Sequence, residues 1–250
     1  MKKITIITVA LNSESTIKKT LDSVFKQSHA EIEHIVIDGG SSDNTRLIVQ
    51  SHPSNLIAFH ELKGSTIYEA MNYGIQLAKN EYIAFLNSDD YYLDDDSISN
   101  IMKLFEGDDR LDAVFGDVEF FNEGNESRVI RRYQCKDFTP NDLCDGIMPA
   151  HPGMVLRTAY YRSLNGFSKA YKIAADFDFI FRLFRKHKIK YINTQRVLVR
   201  MRAGGISTSG IRSKLQITKE IYKSIRENGA KINLRILYKR FFKKLLQIKL

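Results

Sequence analysis

The amino-terminal part of the chain alternates apolar runs of strand length with segments of helical spacing. Ile4–Ala10 and Ile32–Asp38 read as strands, as do residues 56–60 and 82–86. Between them, residues 15–27 place Ile17, Leu21, Val24 and Phe25 on one helical face. Residues 43–50 begin a second helix, with Ser41 or Ser42 as N-cap, and 66–79 form a third. This alternation predicts an α/β fold built on a parallel, doubly wound sheet.

The pattern then becomes mixed. Residues 98–105 are helical, and 113–121 with 128–133 predict a hairpin around Asn122-Glu-Gly-Asn125. Met154–Arg157 reads as a short strand, 177–187 as a helix and 190–200 as a strand. Residues 203–210 form a polar, glycine-containing hinge. Two further helices follow, about 211–227 and 231–248, separated by Asn228-Gly229.

Candidate chemistry gathers where strands end. Asp38 closes the second strand, Asp89 and Asp90 follow the fourth, and Asn12 and Glu14 follow the first. In a doubly wound sheet these ends converge on one crevice. Each acid alone is equally a helix cap or turn residue, so convergence carries the functional reading. Two adjacent carboxylates repel unless water or a cation lies between them, and a divalent metal carrying phosphate oxygens is one such partner. Neither GxGxxG nor GxxxxGK[ST] is present, which argues against dinucleotide redox chemistry and ordinary ATPase chemistry.

Composition changes the picture at one place only. The net charge is +9, but residues 211–250 carry twelve Lys/Arg against Glu220 and Glu227, so the rest is nearly neutral. In 231–248 the apolar residues Leu234, Leu237, Tyr238, Phe241, Leu245 and Ile248 share a face flanked by lysines and arginines. That is an amphipathic basic helix suited to an anionic membrane interface; packing on protein and RNA binding are the alternatives. The two cysteines, Cys135 and Cys144, have neither CxxC nor zinc spacing and read as reduced thiols of a cytosolic protein. The start, Met1-Lys2-Lys3 and an apolar run, reads as a first strand rather than a signal peptide, and no run has the length of a membrane span.

Four blocks stand in order: Thr5-Ile-Ile-Thr-Val-Ala-Leu-Asn12-Ser-Glu14, Ile37-Asp38-Gly-Gly-Ser-Ser-Asp43-Asn-Thr45, Tyr68-Glu-Ala70-Met-Asn72-Tyr-Gly74 and Leu86-Asn87-Ser-Asp89-Asp90. With them the chain resembles the family 2 glycosyltransferases of the GT-A fold, in particular bacterial enzymes of O-antigen and exopolysaccharide synthesis. The resemblance implies a Rossmann-like, doubly wound, mostly parallel sheet with C-terminal amphipathic helices. It implies a catalytic domain over 1–210, with a nucleotide-binding half (1–95) and an acceptor half (96–210), and a basic helical extension over 211–250. It further implies an inverting transfer from a nucleotide sugar, taken as UDP-linked, to a saccharide acceptor that is lipid-linked. Transfer to polyprenyl phosphate, and a silent nucleotide-sugar-binding or nucleic-acid-binding protein, are the rival readings. The expected place is the cytoplasmic face of the cell membrane, held peripherally by the basic helix; a homo-oligomer is left open and nucleic acid is not expected.

Residue by residue, the resemblance assigns Thr8, Ala10, Asn12, Glu14, Asn72 and Asp89 to the nucleotide sugar. Asp38 falls on the base, where an ionised carboxylate can accept the imide N–H of uracil. Asp89 and Asp90 are the metal pair for Mn²⁺ or Mg²⁺; the family often has Asp-x-Asp-Asp, and Asn87 stands in the first place. Met71 stands where many relatives have Arg, which implies that one positive contact near the nucleotide is absent or that Lys63 replaces it. Ala174-Ala175-Asp176-Phe177-Asp178 resembles the family's Glu-Asp block with Ala175 replacing the Glu, which makes Asp176 the general base and Asp178 structural. His151 is a contact for diphosphate, metal or acceptor, with a satisfied loop histidine as the plain alternative.

Overall fold

The computed structural model describes residues 1–122, 124–204 and 210–230. The helix expected over 231–248 therefore lies outside the described residues. The element order is β1 (Ile4–Ala10), α1 (Ile17–Phe25), β2 (Ile32–Asp38), α2 (Thr45–Ser51), β3 (Ile57–Glu61), α3 (Ile67–Leu77) and β4 (Tyr82–Phe85). There follow β5 (Tyr91–Tyr92), α4 (Ser97–Gly107), β6 (Ala113–Asn122), β7 (Asn125–Tyr133), β8 (Met154–Arg157), α5 (Thr158–Ser163), α6 (Ala175–Lys186), β9 (Tyr191–Arg202) and α7 (Gly210–Glu227).

One sheet runs β3-β2-β1-β4-β8-β6-β9-β5, with β7 paired to β6. β1 to β4 are mutually parallel, and β9 runs parallel to β6. β8, β7 and β5 pair antiparallel with their neighbours. Every residue of β1 and of β4 is buried, as expected of strands covered on both faces. α3 opens with a capping box between Thr66 and Glu69 and turns Tyr68, Met71 and Ile75 inward. A Cβ at Gly74 would lie 2.6 Å from Ile7 Cγ2, so glycine lets α3 approach β1.

Register explains where the crevice opens. Ala10 lies opposite Asp38, whereas the last pair of β4 with β1 is Phe85 with Ile7. β4 therefore leaves the sheet early, and 86–90 cross its carboxyl edge. On one face, Phe85, Tyr161, Phe167, Phe179 and Ile180 join one apolar cluster, to which α7 adds Ile221 and Ile225. α7, the first part of the expected extension, is thus built into the same core as the sheet.

The structure differs from the sequence reading in several local details. β5, α5 and short 3₁₀ turns at Pro140–Asp145 and His151–Gly153 lack a pattern long enough to detect. α2 starts at Thr45 rather than residue 43, because Ser41 and Ser42 bond to Asp38 and Asn12 instead of capping the helix.

Candidate active site

Four loops at the carboxyl ends of β1 to β4 are stitched together by side chains. Asn12 holds a left-handed conformation (φ 49°), which asparagine tolerates. Its Oδ1 accepts from the Ser42 N–H at 2.9 Å, and its own N–H donates to Ser41 Oγ at 2.8 Å. Glu14 Oε2 accepts from the Asn44 backbone and side chain at 3.0 and 2.9 Å. Ser13 and Ser88 hydroxyls meet at 2.8 Å and join the first loop to 86–90. Gly64 N–H donates to Gly39 O, and a Cβ at Gly40 (φ 97°) would strike Lys63, so the loop after β3 lies against the loop after β2.

Asp38 is 2% exposed and organises its own turn. Its carboxylate accepts from the Gly40 and Ser41 N–H groups and from Ser41 Oγ at 2.7, 2.6 and 2.7 Å. Ala10 lies beside it, its carbonyl accepting from Gly39 N–H. Thr8 is fully buried, with Oγ1 2.9 Å from His34 Nε2, and presents no surface to the crevice. Asn72 is used at both ends of its amide: Nδ2 donates to Phe167 O and Oδ1 accepts from Phe167 N–H, each at 2.8 Å. It also lines a cavity of about 890 Å³ between the loop after β3 and residues 161–169. Asp38, Asp89, Asp90 and Asp176 do not line that cavity.

The end of β4 carries the acidic corner. Asp90 is 1% exposed, and its Oδ2 accepts from Asn87 Nδ2 at 3.0 Å. Its Oδ1 accepts from the Arg202 backbone N–H at 3.2 Å, across the sheet from the end of β9. Burial and the adjacent Asp89 charge hold Asp90 well above the usual carboxylate range. Burial also raises Asp89, against the opposing charge of Arg202. Two poorly solvated carboxylates of like sign are a donor set that a hard divalent cation fits, with substrate phosphate and water as further ligands. Among the described residues no group of three His, Cys, Asp or Glu is placed to hold a metal alone. Asn87, standing in the missing acid's place, steadies Asp90 by hydrogen bonding.

Asp176 sits in the first turn of α6, where an acid also suits the helix dipole. Its Oδ1 accepts from the Phe177 N–H at 2.8 Å and lies 3.4 Å from the Tyr68 hydroxyl. Burial pushes its carboxyl up to about 6, the range of a general base. Asp178 is bound to Arg182 at 2.7 Å and to Ser224 at 2.9 Å, a structural role. One buried aromatic cluster joins the elements that carry the two acidic regions: Phe85, the last residue of β4, lies 5.4 Å from Phe167, which lies 5.6 Å from Tyr68. His151 packs in the same cluster, 5.0 Å from Phe85 and 5.3 Å from Phe167. It is 6% exposed, burial lowers it to about 4, and its Nε2 has no hydrogen-bond partner among the described residues.

Sequence reasoning missed Tyr68 and the Arg202 backbone as neighbours of the carboxylates. Tyr68 opens one of the four blocks, and that was its only signal. Arg202 carried none, since a backbone donor has no residue signature.

The family model described as Glycosyl transferase family 2 matches residues 5–192. A PGL/p-HBAD biosynthesis glycosyltransferase of Mycobacterium bovis is 26% identical over 186 residues, covering 72% of this chain and 68% of its own. Chondroitin synthase of Pasteurella multocida is 26% identical over 186 residues, 74% of this chain but 19% of that protein. S. aureus TarS 1–349 in complex with UDP-GlcNAc superposes with a TM-score of 0.72 at 19% identity, covering 96% of this chain and 72% of that one; of a longer TarS chain, 43% is covered. The mannosyltransferase PcManGT from Pyrobaculum calidifontis, in complex with GDP-Man and Mn²⁺, gives 0.66 at 17% identity, covering 96% and 69%. These likenesses fix the fold as GT-A. A match running from β1 through both acidic regions and α6 into β9 places the chain in glycosyl transferase family 2.

Proposed function

We propose that this glycosyltransferase moves a sugar from a UDP-sugar to a saccharide hydroxyl with inversion at the anomeric carbon. The observation that carries this reading is the pair of contrasting acidic regions on elements joined by one buried aromatic cluster. Asp89 and Asp90 sit together at the end of β4, while Asp176 stands alone at the start of α6 with its carboxyl near 6. Paired titratable groups in different environments divide binding and proton-transfer roles in this way.

The loops of Asn12, Glu14 and Asp38 receive the nucleotide. Asp38 holds the Gly39–Ser42 turn against the base and offers its remaining lone pair to the uracil imide. Asp89 and Asp90 would hold Mn²⁺ or Mg²⁺, which would supply Lewis-acid neutralisation of the departing diphosphate. Asp176 takes the proton of the acceptor hydroxyl as its oxygen bonds to the anomeric carbon. The bond from that carbon to the diphosphate breaks on the opposite face, and its electron pair leaves with the nucleotide. His151, with an unpaired ring nitrogen, is the contact for diphosphate or acceptor. The amphipathic sequence pattern of 231–248 supports the reading of a lipid-linked acceptor, and deletion of 231–250 should release the protein from anionic vesicles. No helix among the described residues is long and apolar enough to cross a membrane.

A panel of UDP-, GDP- and dTDP-sugars, read by thermal shift with Mn²⁺ and then by nucleotide release, tests the reading. UDP-sugars should stabilise most, and release should need Asp176. Equal release by the wild type and Asp176→Asn would remove Asp176 from its role, and RNA binding without UDP affinity would overturn the donor assignment.

A further inference from the structure

Glu220 lies in α7, beyond the family match, and is 5% exposed. Its carboxylate faces three consecutive backbone donors just ahead of Asp176. Lys172 N–H donates to Oε1 at 3.0 Å, and Ile173 and Ala174 N–H donate to Oε2, each at 2.9 Å. Gln216, one turn earlier, donates to Oε1 at 2.7 Å. Although burial opposes it, these hydrogen bonds hold the Glu220 carboxyl below its ordinary value, so it stays charged.

The same segment is held from the other side. The Tyr68 hydroxyl of α3 donates to Ile173 O at 2.5 Å, so the main chain at Ile173 is clamped between α3 and α7. α7 also grips the flanks: Tyr171 donates to Glu227 at 2.7 Å and Ser224 to Asp178 at 2.9 Å. A buried carboxylate replaced by a methyl group would leave three N–H donors unsatisfied together, a strong drive to move the loop.

We infer that Glu220 is a positioning residue for the reaction, fixing the 172–174 main chain so that Asp176 meets the acceptor hydroxyl. The inference rests on the reading of Asp176 as general base. Among the described residues, Tyr68 of α3 and Glu220 of α7 are the titratable groups that act on Asp176; Asp178 on its own helix is taken up by Arg182. Glu220 therefore acts in two ways, by geometry and by a negative charge that favours the protonated form of Asp176.

The test uses the full chain, Mn²⁺ and whichever sugar nucleotide of the panel gives the fastest release. Glu220→Ala should lower kcat by roughly 10- to 100-fold, the cost of a misplaced catalytic group, with donor KM within about twofold. Glu220→Gln keeps one acceptor oxygen but no charge, so it should recover part of kcat and move the acid limb of the pH profile to lower pH. Asp176→Asn/Glu220→Ala should be no slower than Asp176→Asn alone, since both act through one group. Hydrogen exchange at residues 172–174 should quicken in Glu220→Ala, which reads the clamp without any donor. Wild-type kcat per folded protein and an unmoved pH profile in both Glu220 variants would overturn the inference. If Asp176→Asn is itself fully active, the general-base reading fails instead, and the exchange measurement still decides whether Glu220 holds the loop.

Discussion

The corner proposed for the nucleotide and the corner proposed for the base both use carboxylates, but their side chains are fixed in opposite ways. At the carboxyl ends of β1 and β2, each side chain is satisfied by a neighbouring loop: Asp38 by its own turn, Asn12 and Glu14 by residues 42–44. At the start of α6, Asp176 accepts from the next residue's N–H, but the main chain just before it is held by a helix from the first half of the chain and a helix from its far end. Local satisfaction gives a corner preorganised by short loops. Remote anchoring gives a carboxyl whose position is set by packing, and whose charge is disfavoured by burial.

The sharpest break of this contrast is Asp176→Asn. Nucleotide release should fall by about 10²- to 10⁴-fold, the range for loss of a general base, while UDP affinity stays within about twofold. Isothermal calorimetry beside steady-state rates checks both halves, and a matching loss of UDP affinity would merge the two corners into one. Next is Asp90→Ala, which removes one of the two carboxylates proposed to hold the metal. A loss of several kcal/mol in charge stabilisation corresponds to at least ~10²-fold in rate, accompanied here by loss of the Mn²⁺-dependent thermal shift with UDP. A variant that keeps that shift would take Asp90 out of metal binding.

Asn72→Ala probes a residue the sequence assigned to the donor and the structure ties to Phe167. Stranding that N–H and carbonyl should lower unfolding stability by about 1–3 kcal/mol in urea titration. If stability is unchanged while donor KM rises, the donor assignment is the better one. The smallest effect is a pH signature. The Asp176 carboxyl is raised by burial from 3.8 to about 6, so the folded state binds its proton more tightly than the unfolded chain. Its favourable contribution is complete below about 3.8 and is lost as pH rises through about 6. Asp176→Asn should accordingly melt higher than wild type at pH 7.5, and the gap should close by pH 4. A gap of the same size at both pH values would mean the carboxyl is not strained by burial.

The difference between the corners is also a difference in legibility. The strands ending at Ala10 and Asp38 announce themselves as apolar runs stopped by polar residues, and the bonds that finish their loops span about 30 positions. Asp176 was legible as an acid in the right block, but Tyr68 lies 108 positions away from it. Glu220 looked like one of two acids in a basic tail, because nothing in its own segment reveals three distant N–H donors. Asn72 was legible as part of a block, but the loop its amide bonds to, 95 positions on, was not. Patterning reports which face of an element is apolar; it does not report which remote main chain that element will meet.

β5 pairs with β9 through Tyr91 opposite Arg200, and Asp90, just before it, accepts from Arg202 across 112 positions. That pairing has a bearing on the order of events at the ribosome. β1 to β4 can associate once the first half of the chain has emerged, so the nucleotide loops belong to an early, low-separation stage of folding. The Asp90 carboxylate waits, deprived of its main-chain donor, until β9 has been made and threaded beside β6. Non-local strand pairing is slow because loop closure precedes the contacts that reward it. If Asp89 and Asp90 hold the metal, that corner is completed only after β9, and chains truncated before β9 and after α7 should differ in Mn²⁺-dependent UDP binding, absent in the first and present in the second.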